Sequence, residues 1–359
     1  MWVRFLFDFD LHVLGKPMNA GGTPMIFPNL FLRNLSVVSI FSVLLLCSGC
    51  IKTKITIFPD KTEPLQEYTL QGSGKEKILI VPVKGFISDS GRSFSLVNKA
   101  NMVEEVVSQL KKAGKDKEIK AVILQIDSPG GSVTASDILY HEIMEYKKHS
   151  GSKIVAAMMG VAASGGYYVA LPADFIVAHP TTITGSIGVV FLMPNVSGLM
   201  NKIGVEVETN KSGKNKDMGS PFRKPTPEEE RIFQSLIDDL AGRFISLAVT
   251  HRKLTDQARE DISSARVYTA ADALNLGLVD KIGYLDDAIR SAAKLAELSE
   301  DAKVVVYRRT EYPNDNIYNT TSIAKQDLPQ VNLIDLGLGD SIPPLRNGFY
   351  YLWMPGQGQ

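Results

Sequence analysis

One serine in this 359-residue chain stands where its hydroxyl could serve as a nucleophile. Between Lys153 and Val190 the residues read as strand, tight glycine turn, helix, strand, and Ser164 occupies the turn within Ala-Ala-Ser-Gly-Gly. The apolar run 154–159 has the composition of a buried strand, and the small residues after it let the backbone turn sharply and approach its neighbours closely. The N-terminus of the following helix would aim unpaired N–H groups and a partial positive charge at the surroundings of Ser164. That setting suits a developing oxyanion. A glycine-rich strand-to-helix turn is equally a device for close packing, so the chemistry needs partners to be credible.

A serine hydroxyl is a weak nucleophile until a neighbouring group takes its proton. A histidine could do so, and the chain has five: His12, His141, His149, His179 and His251. His12 lies far from the turn in sequence, His141 and His149 sit on a charged helical stretch, and only His179 falls near Ser164. A lysine could act instead if its pKa drops from about 10.4 towards neutrality through desolvation or a nearby positive dipole. Lys211, Lys214 and Lys216 cluster in one polar stretch, where solvation is the ordinary fate of such residues. Asp127, in Asp127-Ser128-Pro129-Gly130-Gly131, reads as a turn cap.

The elements that must hold these groups alternate. Strand-like 78–83 precedes an amphipathic helix over 97–113. A buried strand at 121–126 and a helix at 135–148 then lead to the Ser164 stretch. A helix at 196–203 and a strand at 205–209 follow. The next helix is strongly signalled, with Thr226 as N-cap, Pro227 in the first turn, Glu229 as capping-box partner and Phe233, Leu236, Ile237, Leu240, Phe244 and Leu247 on one face. Helices at 270–276 and 286–295 and a last strand at 303–307 complete an α/β pattern.

Lys plus Arg and Asp plus Glu are equal at 39 each, so charge argues neither for nucleic acid nor for an acidic disordered chain. The only cysteines, Cys47 and Cys50, lie in an N-terminal apolar segment, which denies the globular part a disulfide or a cysteine-built metal site. Residues 1–24 read as a leader or an over-called start. Residues 25–50 read as a signal peptide or anchor ending in Leu-Cys-Ser-Gly-Cys, which resembles a bacterial lipobox with Cys50 as the lipidated residue. Residues 51–76 read as a tether and 77–308 as the folded domain. The proline-containing stretch 309–359 reads as an extended tail, whose apolar end Phe349-Tyr350-Tyr351-Leu352-Trp353 could dock on the core or on another copy.

Four motifs stand in order: Asp127-Ser-Pro-Gly-Gly131, Ser164-Gly-Gly-Tyr-Tyr168, Thr184-Gly-Ser-Ile-Gly188 and Lys211-Ser-Gly-Lys-Asn-Lys216. Together with Arg266-Val-Tyr-Thr269 and Gly277-Leu-Val-Asp280 they resemble the signal peptide peptidase A family, protease IV or peptidase family S49. The resemblance implies a ClpP/crotonase-like α/β spiral in a mainly parallel sheet. It also implies Ser164 as nucleophile, Lys216 as general base and Ser186 as the residue that holds the lysine amine. By analogy with the same architectures, Gly131 and Gly165 would supply the oxyanion N–H groups. The implied activity is endopeptidase cleavage of spent signal peptides and other envelope proteins by a homo-oligomeric ring. In such rings the serine and lysine can come from adjacent subunits. No metal or cofactor is implied, and the location would be the bacterial cell envelope, membrane-anchored with the domain outside the cytoplasm. The competing readings are a crotonase-like acyl-CoA hydrolase and a catalytically idle membrane scaffold.

Overall fold

The structure, a computed structural model, describes residues 64–89, 101–309, 311–312, 315–320 and 348–353. The expected leader and the lipobox segment with Cys50 lie outside these residues. In chain order the elements are β1 (Gln66–Gln71), β2 (Lys77–Lys84), α1 (Met102–Ala113), β3 (Ile119–Ser128), β4 (Gly130–Ser132), α2 (Val133–Ser150), β5 (Lys153–Ala163), α3 (Gly165–Ala170), β6 (Phe175–Ala178), β7 (Ile183–Gly185) and β8 (Val190–Leu192). They continue with α4 (Ser197–Ile203), α5 (Pro227–Arg252), α6 (Asp256–Ser263), β9 (Val267–Thr269), α7 (Ala270–Asn275), β10 (Lys281–Ile282), α8 (Leu285–Leu295), β11 (Lys303–Arg308) and β12 (Gly348–Leu352).

The main sheet runs β1-β11-β2-β3-β5-β6-β10, with β7 paired to the far end of β5 and β9 paired to β7. Every pairing in it is parallel except β1 with β11 and β7 with β9. This is the α/β architecture expected, and its central strands show why. In β3, Ala121-Val-Ile-Leu-Gln-Ile126 is buried along its whole length because helices cover both faces of a parallel sheet. Leu79, Val122, Leu124, Ile154 and Ala156 face the layer that holds Leu110 of α1 and Leu139 of α2. Ile78, Ile80, Ala121, Ile123 and Val155 face the opposite layer, where α8 contributes Leu285, Ala288 and Ala292. Successive side chains of a strand point to opposite faces, so one apolar run serves both layers.

The helix signals in the sequence correspond to real caps. Thr226 Oγ1 accepts the Glu229 N–H at 3.2 Å and Glu229 Oε2 accepts the Thr226 N–H at 2.8 Å, a reciprocal box at the start of α5. Three features depart from the sequence reading. Within the expected tether, Gln66–Gln71 forms β1, because Tyr68 and Leu70 pack on the second core layer while the strand pairs with β11. Residues 205–209 alternate Val-Glu-Val-Glu like a strand but form none. They are exposed and pair with no strand among the described residues, so their backbone groups are left to water. The strand before Ser164 continues through Gly160 to Ala163, so the sharp turn falls at Ser164 itself.

The expected tail is held at two places. Arg308, fully buried, forms a bidentate pair with Asp315 at 2.6 Å and lies over the rings of Tyr68 and Tyr312. Further on, β12 joins β4 and β8 in a second, three-stranded sheet, antiparallel to both. Leu124→Ala should lower the unfolding free energy by about 2–5 kcal/mol through loss of buried area and the cavity left behind. Thr226→Ala should cost about 1 kcal/mol through loss of the cap. Midpoints and slopes of urea unfolding check both, and the two losses should rank in that order.

Candidate active site

Ser164 links β5 to α3 in a backbone conformation that non-glycine residues seldom adopt, φ 53° and ψ −116°. Its N–H donates to the Gly185 carbonyl at 2.7 Å, and its carbonyl accepts the Tyr168 N–H at 2.9 Å to open α3. The side chain is 1% exposed, makes no capping bond, and its Oγ has no hydrogen-bond partner among the described residues. A buried hydroxyl without a partner carries a desolvation cost, and such groups need a functional account.

The turn fits only because glycines surround it. A β-carbon on Gly165 would stand 2.5 Å from Ser136 Oγ, and one on Gly166 would stand 2.6 Å from the Ser128 carbonyl oxygen. On Gly131 it would overlap the Ile87 carbonyl oxygen. Gly130, at φ 103°, brings its α-carbon so close to the start of α3 that a β-carbon there would lie 2.7 Å from the Gly165 nitrogen. Thus the Gly130-Gly131 backbone of β4 is pressed against the first turn of α3, where the N–H groups of Gly165 and Gly166 have no intrahelical acceptor. The two glycines expected to supply oxyanion donors, Gly131 and Gly165, are brought together.

Ser186 is brought in by the sheet. Ala163 of β5 is in register with Gly185 of β7, so Ser164 and Ser186 follow directly on paired residues. Ser186 also has a positive φ, 49°, with its N–H bonded to the Arg266 carbonyl at 2.8 Å, and it is 9% exposed.

Lys216 is not hydrogen-bonded to Ser164 within this chain. It lies exposed on a turn, its N–H donating to the Gly213 carbonyl at 3.1 Å. Its two neighbours are committed elsewhere: Lys211 Nζ pairs with Asp217 at 2.6 Å and Lys214 Nζ with Glu228 at 2.8 Å. Among the described residues the Lys216 amine has neither an ion pair nor a hydrogen bond, so it is the loop lysine left available. The loop is fixed at its base by Arg223, which bonds Asp217 through Nε at 2.9 Å and Glu229 through Nη2 at 2.5 Å. The Arg223 and Lys211 side chains hold the Asp217 carboxyl well below the usual range, and Arg223 holds Glu229 down to about 2.

Other candidates bond to groups other than the serine. His179 bonds Thr181 Oγ1 at 2.8 Å and meets the Tyr284 ring edge-on. Asp127 Oδ1 accepts the Val161 N–H at 3.0 Å, a structural role. Burial pushes the Lys84 amine down while Asp127 opposes the shift, but Lys84 Nζ bonds Thr320 at 3.2 Å. By the alternation of β2 it shares the face of Ile78 and Ile80, opposite the layer that holds Tyr167 and Tyr168 of α3.

Sequence reasoning missed Ser136, Asp137 and Arg243, and it did not say what Tyr168 and Tyr351 pack on. Ser136 Oγ donates to the Ser132 carbonyl at 2.9 Å directly beside Gly165. Tyr168 donates to Asp137 at 2.6 Å, and Arg243 of α5 pairs with the same carboxylate at 2.7 Å, so α5 is fastened to α3. Tyr351 stacks on Tyr168. The paired tyrosines after Ser164-Gly-Gly were the available signal, since two large aromatics behind a glycine turn must have something to pack on.

Residues 146–299 match the sequence profile of Peptidase family S49, and residues 93–177 match that of Clp protease. An Enterococcus faecium protein assigned by name to signal peptide peptidase SppA is 37% identical over 252 residues, covering 70% of this chain and 73% of its own. A Synechocystis protein assigned by name to the proteases is 37% identical over 229 residues, 64% of this chain and 78% of its own. Protease 4 of Salmonella typhi is 37% identical over 197 residues, 55% of this chain and 32% of its own, so the present chain matches about a third of that longer protein.

Arg223→Ala should release the loop, leaving the buried Glu229 carboxylate unpaired. Trypsin should then cut at Lys211, Lys214 or Lys216 several-fold faster than in the wild type. Both carboxyls are depressed in the folded protein, so their ties to Arg223 are complete above the ordinary carboxylate range; that of Glu229 is lost as pH falls through about 2, and that of Asp217 only lower still. An acid-stable protease should therefore cut the loop of the wild type faster as pH falls through about 2, though less than in the variant, because the Asp217 tie persists there.

Proposed function

This chain belongs to peptidase family S49 and is a serine peptidase, and from that premise we propose that it is a Ser-Lys endopeptidase with Ser164 as nucleophile and Lys216 of a neighbouring subunit as general base. The observation that carries this reading is the Ser164 turn itself: a strained, buried serine whose Oγ has no partner, set against glycine N–H groups that have no intrahelical acceptor. Strain at a single non-glycine residue persists only where the surroundings over-determine it, and it gathers at functional sites.

In the proposed reaction Ser164 Oγ attacks a peptide carbonyl carbon while its proton passes to the neutral Lys216 amine. The carbonyl oxygen takes the negative charge and is held by the N–H groups of Gly131 and Gly165. The C–N bond breaks, the proton passes from the lysine to the leaving amine, and water later hydrolyses the ester to free Ser164. Ser186, which follows Gly185 where that residue pairs with Ala163, would orient the lysine amine.

Supply of Lys216 by a neighbour is supported by its surroundings. The segment around it is exposed and leaves Leu199, Ile203, Val205, Val207 and Phe222 in contact with water, an unusual concentration of apolar side chains. A ring of copies would cover them and bring a free lysine to each serine. The natural substrates proposed are spent signal peptides and other apolar envelope polypeptides. The apolar segment 35–51 and Cys50 support a membrane-tethered enzyme working outside the cytoplasm. Among the described residues no helix is long and apolar enough to cross a membrane.

Ser164→Ala and Lys216→Ala should each lower kcat for an apolar fluorogenic peptide by about 10³-fold or more, with each variant still assembled by light scattering. Co-refolding the two inactive variants should restore part of the activity, since some sites would then join an intact serine to an intact lysine from different chains. A mixture as inert as its components, in verified mixed assemblies, would rule out the shared site.

A further inference from the structure

Residues 196–221 form an arm that is closed at its base. The Val196 N–H donates to the Pro221 carbonyl at 2.8 Å, and the Asn195 side-chain amide donates to the Arg223 carbonyl at 2.7 Å. Beyond that closure every residue from 201 to 216 is exposed, so the arm that carries Lys216 packs on nothing in its own chain. Within it, Val205-Glu206-Val207-Glu208-Thr209 has the alternation of a half-buried strand. It has none of a strand's hydrogen bonds: among the described residues no backbone group from Glu206 to Asn210 has a partner. Glu206 and Glu208 likewise pair with no cation there.

A free edge of matching pattern lies one strand from Ser164. β9 pairs with β7 alone, Thr184 in register with Tyr268 and Gly185 with Val267. The Ser186 N–H donates to the Arg266 carbonyl at 2.8 Å, whereas the Gly185 carbonyl is turned the other way and accepts from Ser164. By this alternation Arg266 and Tyr268 direct their backbone groups to β7, and the N–H and C=O of Val267 face outward. Such an edge is a template for one more strand. The Arg266 side chain is exposed, lies over the buried Tyr268 ring at 4.7 Å, and has neither an ion pair nor a hydrogen bond among the described residues.

We infer that the arm of one copy adds Val205–Thr209 to β9 of the next copy as an antiparallel strand, with Val207 opposite Val267. The inference rests on the reading that Lys216 is lent to a neighbouring subunit, and it names the surface that receives the arm. In this register Glu208 stands opposite Arg266, so the unpaired acid of the arm meets the unpaired cation of the edge. Val205 and Val207 then share a face with Val267, which covers apolar side chains that water otherwise meets. The register also delivers the lysine. Arg266 is bonded to Ser186, two strand spacings or about 10 Å from the added strand. The stretch from Glu208 to Lys216 could span about 26 Å if extended, so Lys216 reaches the serines with slack for the turn that Gly213 and Lys216 make.

A charge swap in the full chain tests the register. Glu208→Arg and Arg266→Glu should each lower peptide hydrolysis about fivefold or more, because like charges would then be opposed, and the double variant should recover most of the loss. Undiminished activity in both single variants, or an assembled double variant with no recovery, overturns the register. A second measurement does not depend on activity. Val207→Cys combined with Val267→Cys, oxidised in the assembled protein, should link chains to one another on a denaturing gel without reductant, since residues opposed across strands lie within disulfide reach. The parent chain with Cys47 and Cys50, and each single substitution, give the background. No link above that background, or a link within one chain, overturns the docking. The two readings fail separately. Linked copies in which Lys216→Ala still cleaves keep the docked arm and remove the shared lysine, whereas unlinked assemblies in which Ser164→Ala and Lys216→Ala chains restore each other keep the shared lysine and remove the docking.

Discussion

The structure depends on one close approach, that of the Gly130-Gly131 backbone to the Gly165-Gly166 turn. None of these four positions has room for a β-carbon, because backbone oxygens or a serine hydroxyl stand where it would go. The consequence is a site made of main chain. The backbone of β4 lies against the first turn of α3 there, and strand and helix fix both without any side-chain rotamer having to be ordered. The strain at Ser164 belongs to the same constraint. The β5–β7 pairing holds one side of the residue and the start of α3 holds the other, so its φ of 53° is imposed from both directions.

That constraint was legible in the sequence because it is written in residue types. Only glycine fits where backbones touch, and glycine pairs after two apolar strands can be read as such. The α5 start was legible for a similar reason: Thr226, Pro227 and Glu229 are local signals for a local structure, and the reciprocal hydrogen bonds follow from them. The mainly parallel α/β sheet was legible in the unbroken apolar runs of β2, β3 and β5.

What was not legible depends on partners distant in sequence. Nothing within Val205 to Thr209 reveals that it pairs with no strand among the described residues, and nothing within Gln66 to Gln71 announces β11. The three loop lysines look alike in the sequence. The resemblance to a family picks out Lys216 by motif position, and the placement of Asp217 and Glu228 adds the physical reason, since these carboxylates engage Lys211 and Lys214. The aromatic run at 349–353 signalled that something must cover it, but the ladder register that puts Tyr351 opposite Gly131 comes from pairing across the whole chain.

That pairing has a bearing on how the protein comes into being. Gly131 and Tyr351 are about 220 residues apart, so the second sheet is a contact of very high order, slow to find and dependent on everything between being in place. On a ribosome, β4 and β8 emerge long before β12, and during that interval both present bare hydrogen-bonding edges beside the serine. The nascent domain therefore passes through a stage in which its cleft is an open sheet edge, ready to pair with any extended segment, including that of another nascent copy. Emergence of β12 ends that stage, and the order of synthesis itself decides when the domain stops being adhesive.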